Sequence, residues 1–136
     1  MSVKIHWRQL NIEDEGWSMS RCLYAYTTIN SDEILYIGKA DRASIYERWK
    51  AKDKQKLFRD LEKQRQIYQH IVCFGDLELE LGRKFSWQLL SDVESLLIDF
   101  EQPWGNIQCR NRRISRLNLE VKCVGNWIGS KSYLDV

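Results

Sequence analysis

The chain has 136 residues, of which 43% are hydrophobic and 29% charged, the composition of one ordinary globular domain with material for a single core. This balance excludes a disordered chain, and no apolar run approaches the roughly 20 residues needed to cross a bilayer. The formal net charge is only +2, so bulk electrostatics does not announce a nucleic-acid partner, and the distribution of charge must be read instead.

Residues 1 to 20 lack a clear pattern and are expected to form an irregular arm, anchored on the body by Trp7 and Trp17. From Cys22 to Ile29 the residues are apolar, aromatic or Thr, as in a buried strand. The cluster Asn30-Ser31-Asp32 marks a turn, and Ile34 to Ile37 forms the second strand of a hairpin ending at Gly38. Ser44 with Glu47 three positions on predicts a capping box at the start of a short helix. A longer helix is expected from about Lys54 to Gln66, with Leu57, Phe58 and Leu61 on one face. Ile67 to Phe74 reads as a third strand closed by Gly75-Asp76, and the alternation of Leu77, Leu79 and Leu81 suggests a further short one.

Leu89, Leu90, Val93, Leu96, Leu97 and Phe100 then fall at helical spacing, the clearest amphipathic helix of the chain. It starts near Ser86 and stops at Pro103 and Gly105. Ser91 to Glu94 is itself a capping-box pattern, but the apolar stripe begins upstream of Ser91, which leaves Glu94 in mid-helix at the edge of the stripe. One late strand alternates through Leu117, Leu119, Val121 and Cys123, and residues 126 to 129 are expected to close the core. The organisation is therefore α+β: a small central, mostly antiparallel sheet of three or more strands flanked by helices. The expected parts are an arm at 1–21, a central domain at 22–106 and an extension at 107–136 belonging to the same globule.

Cys22, Cys73, Cys109 and Cys123 are scattered without C-x-x-C spacing, so neither a zinc site nor a disulfide framework is expected. The first twenty residues carry Glu13, Asp14 and Glu15 and no apolar stretch, which predicts a cytoplasmic location without a membrane. Basic residues concentrate between Arg48 and Arg65 and again at Arg110, Arg112, Arg113 and Arg116, while acidic residues gather elsewhere. Such segregation can set a phosphate-binding surface beside a metal-binding one, although a lysine run alone is more often a solvated helix face.

One ordered set of residues carries chemistry. Tyr24 and the triplet Tyr36-Ile37-Gly38 are separated by eleven residues, Lys39 follows directly, and Arg48 lies on the next helix. Glu94-Ser95-Leu96-Leu97-Ile98 is followed by Pro103, nine positions after Glu94, and then by Asn106. This series resembles the GIY-YIG nuclease superfamily over residues 22 to 106. Two features depart from that pattern: Cys22 and Leu23 replace its opening glycine and Ile or Val, and Arg48 sits about two residues further from the triplet, which makes Arg42 a competitor.

On that resemblance the chain is a DNA endonuclease that hydrolyses phosphodiester bonds through one divalent metal ion, Mg²⁺ or Mn²⁺, held by Glu94. Phosphodiester hydrolysis needs an activated water, charge stabilisation at the phosphate and a stabilised leaving oxygen. A strand alternates faces, so Tyr24 and Tyr36 can point the same way across the hairpin. Either can serve as general base if nearby cations lower its pKa, with a slight preference for Tyr24. Arg48 supplies a bidentate phosphate clamp and Lys39 further positive charge. Gly38 is expected to let a phosphate approach the backbone. Lys52, Lys54, Lys56, Arg59, Asn106, Arg110, Arg112 and Arg113 are the expected DNA contacts. Trp49 and Trp87 can stack on bases, though tryptophan is more often a packing anchor. His6 and His70 receive no catalytic role. The competing functions are a non-catalytic nucleic-acid-binding module and a partner-docking subunit on the same fold. Selectivity is expected to come from DNA structure, from a homodimer or from a targeting partner.

Overall fold

A computed structural model describes residues 1–109 and 118–135, with the backbone alone for residues 107–109. The architecture is α+β. Strand β1 (Ser2–Gln9) is followed by a 3₁₀ turn at Glu15–Ser18, the hairpin β2 (Cys22–Thr27) and β3 (Ile34–Ala40), and the short helix α1 (Ile45–Trp49). Helix α2 (Lys52–Asp60) continues into a π-helical turn at Leu61–Arg65, before β4 (Ile71–Leu79) and α3 (Trp87–Glu101). A 3₁₀ segment at Trp104–Cys109, β5 (Glu120–Gly125) and β6 (Ser132–Leu134) complete the described chain. The six strands found among the described residues form one sheet in the order β3-β2-β4-β1-β5-β6. Among the described residues only the β1–β5 pairing is parallel.

The first strand corrects the expectation of an irregular arm. Val3, Ile5 and Trp7 alternate with exposed Lys4, His6 and Arg8, the period of a strand covered on one face. Flanked by β4 and β5, β1 lies inside the sheet, and Trp7 stacks on Trp127 at 4.3 Å. Gly75 is likewise no turn. It pairs with Trp7 in mid-strand, and a Cβ there would lie 2.8 Å from the Trp7 ring, so the two short strands expected at 67–81 are one strand.

The sheet has two differently covered faces. Helix α3 packs on the face of Leu23, Ala25, Ile37 and Cys73, joined there by Val3, Ile5 and Trp7. Ser86 caps its N-terminus by accepting from the Leu89 N–H, so Glu94 lies in mid-helix and is not the partner of a Ser91 cap. On the other face, Ile45 of α1, Leu61 and half-buried Leu57 and Phe58 cover the β2–β3 half over Tyr24, Tyr26 and Leu35. The Ser44–Glu47 capping box sets the start of α1. A bulge in the hairpin pairs Tyr26 with Tyr36 but Thr27 with Ile34, so that both Leu35 and Tyr36 join the α1–α2 side.

β3 lies at the edge of the sheet and is covered by the 3₁₀ segment. Asn106, 2% exposed, accepts from the Ile37 N–H at 2.7 Å and donates to the Ile37 carbonyl at 2.8 Å. Its amide thus occupies the hydrogen-bonding groups an edge strand leaves open. Gly105 permits the approach, since a Cβ there would stand 2.7 Å from the Leu35 carbonyl oxygen. Replacing Asn106 by Ala strands both Ile37 groups away from water and should cost about 2–4 kcal/mol. Chemical denaturation should show it, and a loss below about 0.5 kcal/mol would mean that water replaces the amide.

Buried Cys22, Cys73 and Cys123 are free thiols, and burial pushes them up to about 12, 11 and 12. They are small core residues rather than thiolates in waiting. No helix among the described residues is long and apolar enough to cross a membrane.

Candidate active site

Tyr24 lies directly opposite Gly38, and Tyr26 opposite Tyr36, so the three phenols share one face of the hairpin. The Tyr24 and Tyr36 ring centroids are 6.0 Å apart, and each is 5.5 Å from that of Tyr26. Gly38 owes its identity to this arrangement. A Cβ at position 38 would fall 2.5 Å from the Tyr24 hydroxyl, so the space expected to admit a phosphate holds the Tyr24 ring instead.

Two cations converge on the phenols. Lys54 was expected on the solvent side of its helix, but it is only 3% exposed. Its ammonium lies 4.8 Å from the Tyr36 ring centroid and 5.7 Å from that of Tyr24, and it donates to Asp53 at 2.8 Å. The cause is helical phase: position 54 precedes Leu57, Phe58 and Leu61 by three, four and seven residues and so belongs to the buried stripe. A lysine there keeps its charge off bare hydrocarbon by lying on aromatic faces beside a carboxylate.

Arg48 is the second cation. It closes α1, and its Nη2 donates to Asp41 at 3.0 Å. Burial raises the Asp41 carboxyl, but the Arg42 N–H and the Arg48 guanidinium outweigh it and hold the group below the ordinary value. Buried Nε of Arg48 has no hydrogen-bond partner among the described residues. Arg42, the competing arginine, turns away and lies 5.9 Å from the centroid of Trp87. Trp87 is partly exposed at the start of α3, where Arg21 also lies against it.

Lys39 and Glu94 belong to the opposite face. The Lys39 ammonium donates to the Ser91 hydroxyl of α3 at 2.6 Å. Glu94, 5% exposed, is one turn beyond Ser91 on the same helix. The two groups of residues are thus divided by β3, and Asp41 just beyond the strand feels both Arg48 and Lys39. Sequence reading missed Asp41, Ser91 and the inward placement of Lys54. The first two carry no local signal, because their contacts span seven and 52 positions.

Burial raises the Tyr24 phenol far above its ordinary value, reinforced by Tyr36 and Tyr26, and Arg48 offsets only part of this. The expectation of a lowered Tyr24 pKa is therefore corrected. Tyr36 is the half-buried member of the pair, whereas Tyr24 is 1% exposed.

Of the expected DNA contacts, Lys52, Lys56 and Arg59 share the outer face of α2 at i, i+4 and i+7, and all are exposed. Lys56 is paired with Asp60 at 2.8 Å. Asn106 is the internal clamp described above, not a surface contact. Arg110, Arg112 and Arg113 lie outside the described residues. No group of three or more His, Cys, Asp or Glu side chains arranged to hold a metal ion occurs among the described residues.

No known protein family, curated protein or solved structure matches the chain.

Beside the phenols, His70 stacks on Phe58 at 4.4 Å, and its Nε2 accepts from the Trp49 indole N–H at 3.0 Å. An acceptor nitrogen requires neutral imidazole, and burial lowers the His70 pKa accordingly. A depressed folded-state pKa gives a contribution that is complete above the unfolded value, about 6.5, and is lost as pH falls through the folded value. The melting temperature is expected to decline as pH drops from 7 to 5 more in the wild type than in His70→Gln. Parallel profiles would remove His70 from the account.

Proposed function

We infer that this chain is a metal-dependent DNA endonuclease of the GIY-YIG type. The observation that carries the reading is the convergence of Tyr24, Tyr36, Arg48 and Lys54 beside Gly38 at the edge strand, with Lys39 and Glu94 around the other side. Two phenols and two cations on one face of a hairpin end, with a third cation across β3, are costly for a core and useful for a phosphate.

The donor set suits a hard ion. Glu94 would supply carboxylate oxygen on the face where Lys39 holds the Ser91 hydroxyl, which suits Mg²⁺ or Mn²⁺ keeping most of its waters and not a four-ligand zinc site. When bound, such an ion supplies Lewis-acid stabilisation of a leaving oxygen. The protein's own groups do the rest. Asp41 aligns the Arg48 fork so that its remaining donors meet non-bridging phosphate oxygens. Lys39 adds charge on the α3 side. Tyr36, the more accessible phenol, orients the attacking water or takes its proton, while Tyr24 and Lys54 fix the Tyr36 ring. A cytoplasmic location, and targeting through a homodimer or a partner protein, complete the reading.

Incubation with supercoiled plasmid tests it. Nicked or linear product is expected with Mg²⁺ and not with chelator, and intact plasmid at saturating protein and metal would overturn the assignment. Replacing Lys52, Lys56 and Arg59 by Ala should flatten the decline of DNA affinity with salt without altering the single-turnover rate at saturation. An unchanged slope would make α2 a solvated face only.

A further inference from the structure

Next to the tyrosines is a cleft of about 440 Å³ that the proposed cleavage chemistry does not use. Trp17, Trp49 and Tyr68 line part of it, beside aliphatic residues such as Ile29 and Val72. The Trp17 and Trp49 rings stand edge to face at 5.5 Å, and Tyr68 is 70% exposed. Gln9 and Gln69, both exposed, line the same cleft and carry amides that can donate and accept. A cleft of this size falls in the range of small-ligand sites. Flat π-faces combined with amides that both donate and accept match the chemistry of one planar heterocycle with a polar edge.

The position of the cleft narrows the choice of ligand. Trp49 directly follows Arg48, so the same short helix carries the phosphate clamp and a cleft wall. A run of ring contacts joins the two places: Tyr36 to Tyr26 at 5.5 Å, Tyr26 to His70 at 5.2 Å and His70 to Trp49 at 6.4 Å. A strand whose phosphate sits at Arg48 therefore carries bases within a few nucleotides of the cleft, at a rise of about 3.4 Å each. Exposed Lys50 and Lys52 follow Trp49 in the chain.

We propose that the cleft bounded by Trp17, Trp49 and Tyr68 receives an unpaired nucleobase of the bound strand, which makes the chain selective for DNA with an unstacked nucleotide. The inference rests on the endonuclease reading and supplies its substrate class. Base-on-aromatic stacking with sequence tolerance is how single-stranded nucleic acids are held elsewhere. A base in a perfect duplex must first be unstacked, whereas one in a bulge or flap reaches the cleft without that cost.

Binding without metal separates this proposal from the cleavage chemistry. Three labelled DNAs are compared by anisotropy: a perfect duplex, the same duplex with one bulged 2-aminopurine, and the single strand. The bulged duplex is expected to bind about ten-fold or more tighter than the perfect one, with quenching of the 2-aminopurine as it stacks. Tyr68→Ala and Gln69→Ala, both at exposed positions, should remove the preference and the quench while leaving perfect-duplex affinity unchanged. Equal affinity for bulged and perfect duplex overturns the cleft and leaves the nuclease reading standing. A preference that survives both substitutions also overturns it, since the base then lies elsewhere. Absence of any DNA binding overturns both. Preference and quench in a protein that never cuts plasmid support the cleft and sink the nuclease.

Discussion

Tyr36→Phe should slow single-turnover cleavage of a labelled duplex by about 10²- to 10⁴-fold, the range for loss of a general base. Tyr24→Phe should cost clearly less. Both substitutions remove one oxygen and keep the ring, so the stack over Gly38 survives in each. The sequence alone slightly favours Tyr24 as base, because Lys39 and Arg48 follow Tyr36 and hold that side against phosphate. Burial reverses the preference. For a phenol 1% exposed, burial and two neighbouring phenols oppose ionisation and limit the approach of water. Tyr36 is half-buried under the Lys54 ammonium and is the one with access. Rates measured across a pH series decide the matter. Wild-type rates in both variants would remove tyrosine from the chemistry, and a larger defect in Tyr24→Phe would restore the sequence-based preference.

What sequence reading recovers here depends on whether a contact is local. The Ser44–Glu47 box, the Ser86 start of α3 and its stop at Pro103 are made by residues a few positions apart, and all three stand in the structure. The hairpin that aligns Tyr24 with Gly38 is nearly as local. Gly75 shows the opposite case. Beside Asp76 it has the look of a turn, yet its reason is the Trp7 ring, 68 positions earlier in the chain. β1 escaped notice for a related reason: three alternating apolar residues are a weak signal until β4 and β5 are laid on either side.

The candidate site divides along the same line. Which residues to nominate for it was legible, because they form an ordered series along the chain. What several of them do was not. Asn106 stands where the motif puts it, but its two bonds to Ile37 make it a clamp on the edge strand rather than a hand on DNA. Charge alone groups Lys54 with Lys52 and Lys56. Its spacing from Leu57, Phe58 and Leu61 was visible in the sequence, and helical phase outranks composition.

Glu94→Gln is expected to abolish cleavage, by on the order of 10³-fold or more, since an anchored divalent ion contributes several kcal/mol to a phosphoryl-type transition state. The substitution keeps the side chain's shape, removes the charge and turns one acceptor oxygen into an N–H donor. Helix α3 should tolerate it, because its N-terminus is capped by Ser86 eight positions earlier and Glu94 has no part in that cap. Melting temperature and metal-free DNA affinity should therefore stay near wild type while the rate collapses. Excess Mn²⁺, which binds nitrogen and oxygen sites more tightly than Mg²⁺, should restore part of it. The burial of Glu94 gives the experiment its second edge. If the carboxylate serves mainly as a buried charge partner, Gln should destabilise the fold by about 3–5 kcal/mol, and Mn²⁺ should rescue nothing. Full activity with unchanged stability would remove Glu94 from the site, and the oxygen ligand for the ion would have to be sought elsewhere, with Asp41 beside Arg48 the next carboxylate to replace.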